Sequence, residues 1–150
     1  EKAAAWSDNA VKGCKRFLDR VWNLTEQVTP GKAYRKDMEA ILHKTIKKVS
    51  DDIETMKFNT AIAALMTLVN QFYEKGVNRA EFQTLLQLLS PFAPHMADEL
   101  WEHLSFEGLA SLSAWPVYDE SKTVAAEVTI AVQVGGKLKT TVVVPTLLPV

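Results

Sequence analysis

Between Leu89 and Trp101 the chain reads L-S-P-F-A-P-H-M-A-D-E-L-W, and its two prolines fix a corner that everything else must fit. Proline has no N–H for an intrahelical bond and clashes with the turn before it, yet it suits the first position of a helix. Pro91 therefore stops one helix and Pro94 seeds the next. Phe92 and Ala93 lie between them, so the corner carries apolar residues and is expected to be buried. The helix after it offers Met96, Ala97, Leu100, Trp101 and Leu104 at offsets of three and four, a core-facing stripe.

Upstream of the corner the apolar period is helical throughout. Ser7 and Asp8 are N-cap residues for a first helix running to about Val28, with Val11, Cys14, Phe17, Leu18, Val21, Trp22 and Leu24 on one side. Lys12, Lys15, Arg16, Asp19, Arg20 and Asn23 fall on the other. Thr29-Pro30-Gly31 ends it. A second helix, from about Lys36 to Met56, has its apolar seam from Met38 to Met56, with Lys44, Lys47, Lys48 and His43 on the polar side. Phe58-Asn59-Thr60 opens a third helix, with Asn59 as its cap, and Gly76 stops it. Asn78 with Glu81 three residues on reads as a capping box for a fourth helix that runs into the corner.

After Leu104 the pattern changes. Ser105–Asp119 reads as a long loop anchored by Trp115. Val128, Ile130, Val132 and Val134 then alternate with polar or small residues, the period of a half-buried strand. Gly135-Gly136 makes a turn into a second strand, Leu138 to Val144. A two-residue loop would pair Val134 with Lys137; a three-residue loop pairs Val134 with Leu138, and Val132, Ile130 and Val128 with Thr140, Val142 and Val144. The second register keeps one face apolar and is preferred. The expected fold is mainly α: an antiparallel bundle of about five helices followed by a C-terminal β-hairpin. The expected domains are a helical unit over 1–120 with its trailing loop, and the hairpin over 121–150.

Charge separates along this architecture. Residues 1–60 hold 12 Lys and Arg against 9 Asp and Glu, residues 61–121 hold 2 against 8, and the net charge is −1. A polyanion is expected at the front of the chain. Four cations to one acid on the outer face of the first helix allow two readings, a solvated surface or a stripe contacting phosphates. The single cysteine, Cys14, excludes an internal disulfide framework; on the apolar face it is expected to be a buried, inert thiol. No run approaches the ~18 apolar residues of a membrane span. The chain starts with Glu rather than Met, which suggests a fragment or a processed piece.

No catalytic constellation is present: no Gly-rich phosphate loop, no H-E-x-x-H and no G-x-S-x-G. His95, Asp98, Glu99 and His103 invite a metal reading, but acids early in a helix are favoured by its dipole, and no metal site is expected. His43 reads as a solvated histidine. Trp6, Trp22, Trp101 and Trp115 are too dispersed for a base-stacking platform and are expected to anchor core or loops. The residues alone favour a binding module over an enzyme and do not name its ligand.

Several segments together resemble the C-terminal, anticodon-binding region of bacterial-type leucyl-tRNA synthetases, members of the class I aminoacyl-tRNA synthetase family. P-F-A-P-H-M-A-D-E-L-W is similar to the helix corner shared by the class I enzymes for leucine, isoleucine, valine and methionine. Three stretches point to leucine: Trp6–Trp22, Asp52–Met66, and V-Q-V-G-G-K-L-K at Val132–Lys139. With A-W-P at Ala114–Pro116 the resemblance spans residues 6 to about 145. The family's hairpin is usually similar to V-Q-V-N-G-K-x-R. Gly135 here replaces Asn and still supports a turn, whereas Lys139 replaces Arg and keeps its charge without the bidentate fork.

The resemblance implies a tRNA-binding part that carries no chemistry, within a parent ligase that uses ATP with Mg to activate leucine. Catalytic residues, metal and cofactor are expected to be absent from this segment. The implied partners are tRNA(Leu), held by backbone contacts, and the catalytic core of the same chain; a cytoplasmic monomer without a membrane is expected. Arg16 and Arg20 fit the family's R-F-L-x-R pattern and also lie on the basic face, which makes them the leading tRNA contacts. Lys12, Lys15, Lys44, Lys47 and Lys48 follow on charge. The alternatives are a helical scaffold for the core or a protein partner, or the equivalent domain of an isoleucyl-, valyl- or methionyl-tRNA synthetase.

Overall fold

The structure, a computed structural model, describes residues 7–124, 127–134 and 137–145. Five helices carry the fold: α1 (Asp8–Leu24), α2 (Lys36–Glu54), α3 (Phe58–Lys75), α4 (Arg79–Leu89) and α5 (Pro94–His103). Single 3-10 turns sit at Thr25–Gln27, Ala110–Leu112 and Glu120–Lys122. The chain is a mainly α bundle with a terminal hairpin, as its apolar periods predict.

All five helices contribute to the core, and α2, α3 and α4 supply most of it. Met38, Leu42, Ile46 and Val49 of α2 meet Leu65, Leu68, Val69 and Phe72 of α3 and Phe82, Leu85, Leu86 and Leu88 of α4, all fully buried. Each such side chain stabilises the fold by about 1.5–3 kcal/mol relative to exposure. α4 begins at the capping box that the sequence announces: Asn78 accepts from the Glu81 N–H at 2.9 Å, and the Glu81 carboxylate accepts from the Asn78 N–H at 2.9 Å. Glu81 is fully buried and also takes the Arg35 guanidinium, with Nε 3.0 Å and Nη2 3.0 Å away. The same Arg35 donates to the Lys75 and Gly76 carbonyls, so one side chain closes the α3–α4 turn onto the approach to α2. This contact with Glu81 holds the Arg35 pKa above its ordinary value.

At the corner, Pro94 occupies the first turn of α5. Phe92 is half-buried rather than buried and meets Phe58 edge-on, with ring centroids 6.1 Å apart. Trp101 is the largest fully buried side chain, its indole N–H donating to the Glu107 carbonyl at 2.9 Å. Trp115 does anchor the following loop, donating to Ser50 Oγ at 2.9 Å.

Several expectations need correction. α1 ends at Leu24, four residues early, because the chain turns into a two-residue strand, β1 (Val28–Thr29), pairing in parallel with β2 (Val77–Asn78). Asn59 is not a cap; the helix already starts at Phe58. His43 is buried, 8% exposed, because Tyr34 packs edge-on against it at 5.7 Å and the Asp119 N–H donates to its Nδ1 at 3.0 Å. Cys14 is exposed, because only Phe17, Val21 and Leu24 of α1 are buried and residues 7–16 stand clear of the bundle. Trp22 is 47% exposed, although the helical period puts it on the apolar side of α1.

The hairpin consists of β3 (Glu127–Val134) and β4 (Lys137–Pro145), antiparallel. Val132, Ile130 and Val128 pair with Thr140, Val142 and Val144 as expected, but Val134 pairs with Lys137 and Gln133 with Leu138. A register shift next to Val132/Gln133 reconciles the two: an extra residue on β4 lets a short connection coexist with the apolar register further out. The Gly135-Gly136 turn and Trp6 lie outside the described residues.

Candidate nucleic-acid interface

α1 presents the cations that the sequence singles out, and its packing explains their exposure. Ser7 caps the helix by accepting from the Ala10 N–H at 3.4 Å, and the first burial comes only at Phe17. Lys12 and Arg16 are exposed and have no ion-pair partner among the described residues. Lys15 pairs with Asp19 at 2.7 Å, but both side chains are more than half exposed, so the pair is weak in water.

Arg20 differs from its neighbours. Its Nη1 donates to Asn70 Oδ1 at 2.8 Å and its guanidinium stacks 4.6 Å from the Tyr73 ring centroid. Tyr73 in turn donates its hydroxyl to the Arg20 carbonyl at 2.9 Å. Arg20 is thus a positioned cation that ties α1 to α3 while remaining partly open to solvent. Asn70 and Tyr73 escaped the sequence reading because a contact some fifty residues away leaves no local spacing, and the helical period places Tyr73 with the apolar side of α3.

On α2 the cations are mostly engaged. Lys47 reaches Glu120 at 2.7 Å and lies 5.9 Å from the Tyr118 ring; the Glu120 contact raises its pKa. Lys48 binds the buried Asp52 carboxylate at 2.5 Å. Lys44 is exposed without an ion-pair partner among the described residues. The structure therefore splits the seven candidates: Lys12, Arg16 and Lys44 are uncommitted, Arg20 is held in place, and Lys15, Lys47 and Lys48 already have carboxylate partners. The Lys48–Asp52 spacing of four was readable in the sequence; Glu120 was not.

Among the described residues no group of three or more His, Cys, Asp or Glu side chains is placed to hold a metal ion. Asp98 of α5 accepts from the Ser111 N–H and hydroxyl, each at 2.9 Å, fastening the segment after α5 to its helix. No helix among the described residues is long and apolar enough to cross a membrane.

Residues 35–150 match the family model of the anticodon-binding domain of tRNA ligase. The chain belongs to this family. As an anticodon-binding domain it is similar to leucine–tRNA ligases: 51% identical to that of Alkaliphilus oremlandii over 140 residues, covering 93% of this chain and 18% of the relative. The Bdellovibrio bacteriovorus enzyme is 44% identical over 148 residues, covering 95% and 19%. Among solved structures, the domain is similar to a chain in the ternary complex of Agrobacterium radiobacter K84 agnB2 LeuRS with tRNA and LeuAMS. There the TM-score is 0.75 at 29% identity, over 97% of this chain and 21% of that one. The domain thus spans about a fifth of the length of these relatives.

Proposed function

We propose that this chain is the tRNA-binding domain of a leucyl-tRNA synthetase, holding tRNA(Leu) in register through backbone contacts while the rest of the ligase performs ATP-dependent leucylation. The observation that carries the reading is the free cationic side of α1, with Lys12 and Arg16 uncommitted and Arg20 held at its base, on a domain of this family. Exposed Arg and Lys on a regular helix meet phosphates without reading bases, which suits positioning rather than sequence recognition. Lys44 is the second candidate contact, and Lys15, Lys47 and Lys48 would have to leave their carboxylates first. The reading gives the chain no chemical step and assigns leucine activation, ATP and Mg to the remainder of a cytoplasmic, monomeric enzyme.

The test is tRNA affinity at two salt concentrations. Arg16→Ala is expected to weaken binding and to lower the slope of log affinity against log salt by about 0.9, the release of one phosphate's counterions. Arg16→Ala/Arg20→Ala is expected to weaken it further. Equal affinity and equal slope in wild type and both variants would overturn the proposal.

A further inference from the structure

Lys15, Arg20, Lys47 and Lys48 are the candidate cations with a side-chain partner, and among the described residues only Arg20 has no carboxylate as one. The difference matters for an anionic ligand. A carboxylate holds a guanidinium but cancels its field, whereas an amide oxygen and an aromatic face hold it and leave the positive charge intact. Asn70 Oδ1 takes one Nη1 hydrogen, and the guanidinium lies over the Tyr73 ring. That engages one of the five N–H groups of the fork, and the other four have no protein acceptor among the described residues. Tyr73 is fixed in turn by its own bond to the Arg20 carbonyl, so the two residues clamp each other at both ends. The cluster sits at the surface, with Asn70 exposed and Tyr73 36% exposed, where burial does not require it.

We propose that Asn70 and Tyr73 of α3 are positioning residues for tRNA, holding the Arg20 guanidinium with its charge intact and its free N–H groups open to a backbone phosphate. The inference rests on reading this chain as a tRNA-binding domain, and it divides the labour among the contacting side chains. Lys12 and Arg16 supply charge that nothing holds, and Arg20 supplies a fixed fork that sets where along α1 a phosphate sits. An arginine free to move loses rotamers when it meets a phosphate, and one already held loses fewer. A plain tie between α1 and α3 would be stronger with Asp at position 70, because a carboxylate bond to Arg is charge-assisted. Asn gives the weaker tie and keeps the cation.

The test is a mutant cycle on tRNA affinity, read at two salt concentrations with the 150-residue chain. Tyr73→Leu removes ring and hydroxyl. It is expected to weaken binding about two- to tenfold, the cost of ordering one long side chain, with the salt slope unchanged because Arg20 still meets its phosphate. Tyr73→Phe keeps the ring and is expected to restore most of that affinity. Asn70→Asp gives Arg20 a carboxylate partner. It is expected to hold or raise the melting temperature and yet to weaken binding and lower the slope by about 0.9, as Arg20→Ala does. In the Arg20→Ala background none of these substitutions is expected to weaken binding further. Wild-type affinity in Tyr73→Leu and Asn70→Asp would overturn the proposal. So would equal losses with and without Arg20, which would make the two residues structural or direct RNA contacts. Arg16→Ala separates the two ideas: if it weakens binding while the α3 variants do not, the positioning role alone falls. If no variant moves affinity or slope, the tRNA reading falls and takes the positioning role with it.

Discussion

Asp52 concentrates what single residues contribute here. Its carboxylate is 4% exposed, accepts from Lys48 Nζ and from the Thr60 hydroxyl at 2.6 Å, and so joins the end of α2 to the start of α3. The Lys48 contact first, and the Thr60 hydroxyl second, hold its pKa below the usual carboxylate value. A depressed folded pKa means that the stabilisation is complete above the unfolded value and is lost as pH falls through the folded one. The melting temperature of wild type is therefore expected to drop on acidification below about pH 4, and Asp52→Asn, less stable at neutral pH, should lose that part of the decline. Parallel melting curves down to strongly acid pH check it; identical acid limbs would contradict it. Half of this site was legible, because Lys48 and Asp52 stand four apart on one helix. Thr60 was not, since nothing in the chain before folding says that the α2–α3 turn returns it to Asp52.

At the scale of elements, the turn before α2 is packed against the start of α4. A Cβ built on Gly31 would stand 2.7 Å from Asn78 Nδ2 and 2.9 Å from Asn78 Cβ. Asn78 cannot yield easily, since it caps α4 and donates to the Ala33 carbonyl at 2.9 Å. Gly13, on the exposed half of α1, has nothing within 4 Å of the same position. Alanine should thus act with opposite signs: Gly31→Ala destabilises by about 1–3 kcal/mol through overpacking, and Gly13→Ala stabilises by about 0.5–1 kcal/mol by favouring helix. Denaturant midpoints measure both, and a stabilised Gly31→Ala would contradict the packing. The helices and the capping box were legible because their signals are local: a period, a cap three residues from its partner, a proline at a first turn. The β1–β2 pairing was not, because two residues carry no period. His43 and Cys14 were misplaced for a related reason. A helical period tells which side of a helix is apolar, not which stretch of it another element will cover.

In the molecule as a whole, the buried apolar residues described lie between Phe17 and Ala110, and the chain from Ala114 to Lys122 is strapped along α2. The straps are Trp115 to Ser50, the Asp119 N–H to His43, Glu120 to Lys47, and Lys122 to Glu39 at 2.7 Å. A chain ending at Val124 is expected to melt within a few degrees of the full chain, since a hairpin alone adds little. One ending at Leu112 loses all four straps and should melt several degrees lower, by roughly 4–8 °C per kcal/mol. Thermal unfolding followed by circular dichroism separates the two, and equal losses would contradict the assignment. The anchoring of α1 has a mechanical consequence. Its grip on the bundle comes from Phe17, Leu18, Arg20, Val21 and Leu24, all in its second half, so the helix is a lever with its fulcrum at one end. Lys12 lies about 13 Å beyond Val21, and a tilt of ~10° at the fulcrum carries it ~2 Å sideways. Whatever presses on one side of such a rod displaces the opposite side by the same stroke.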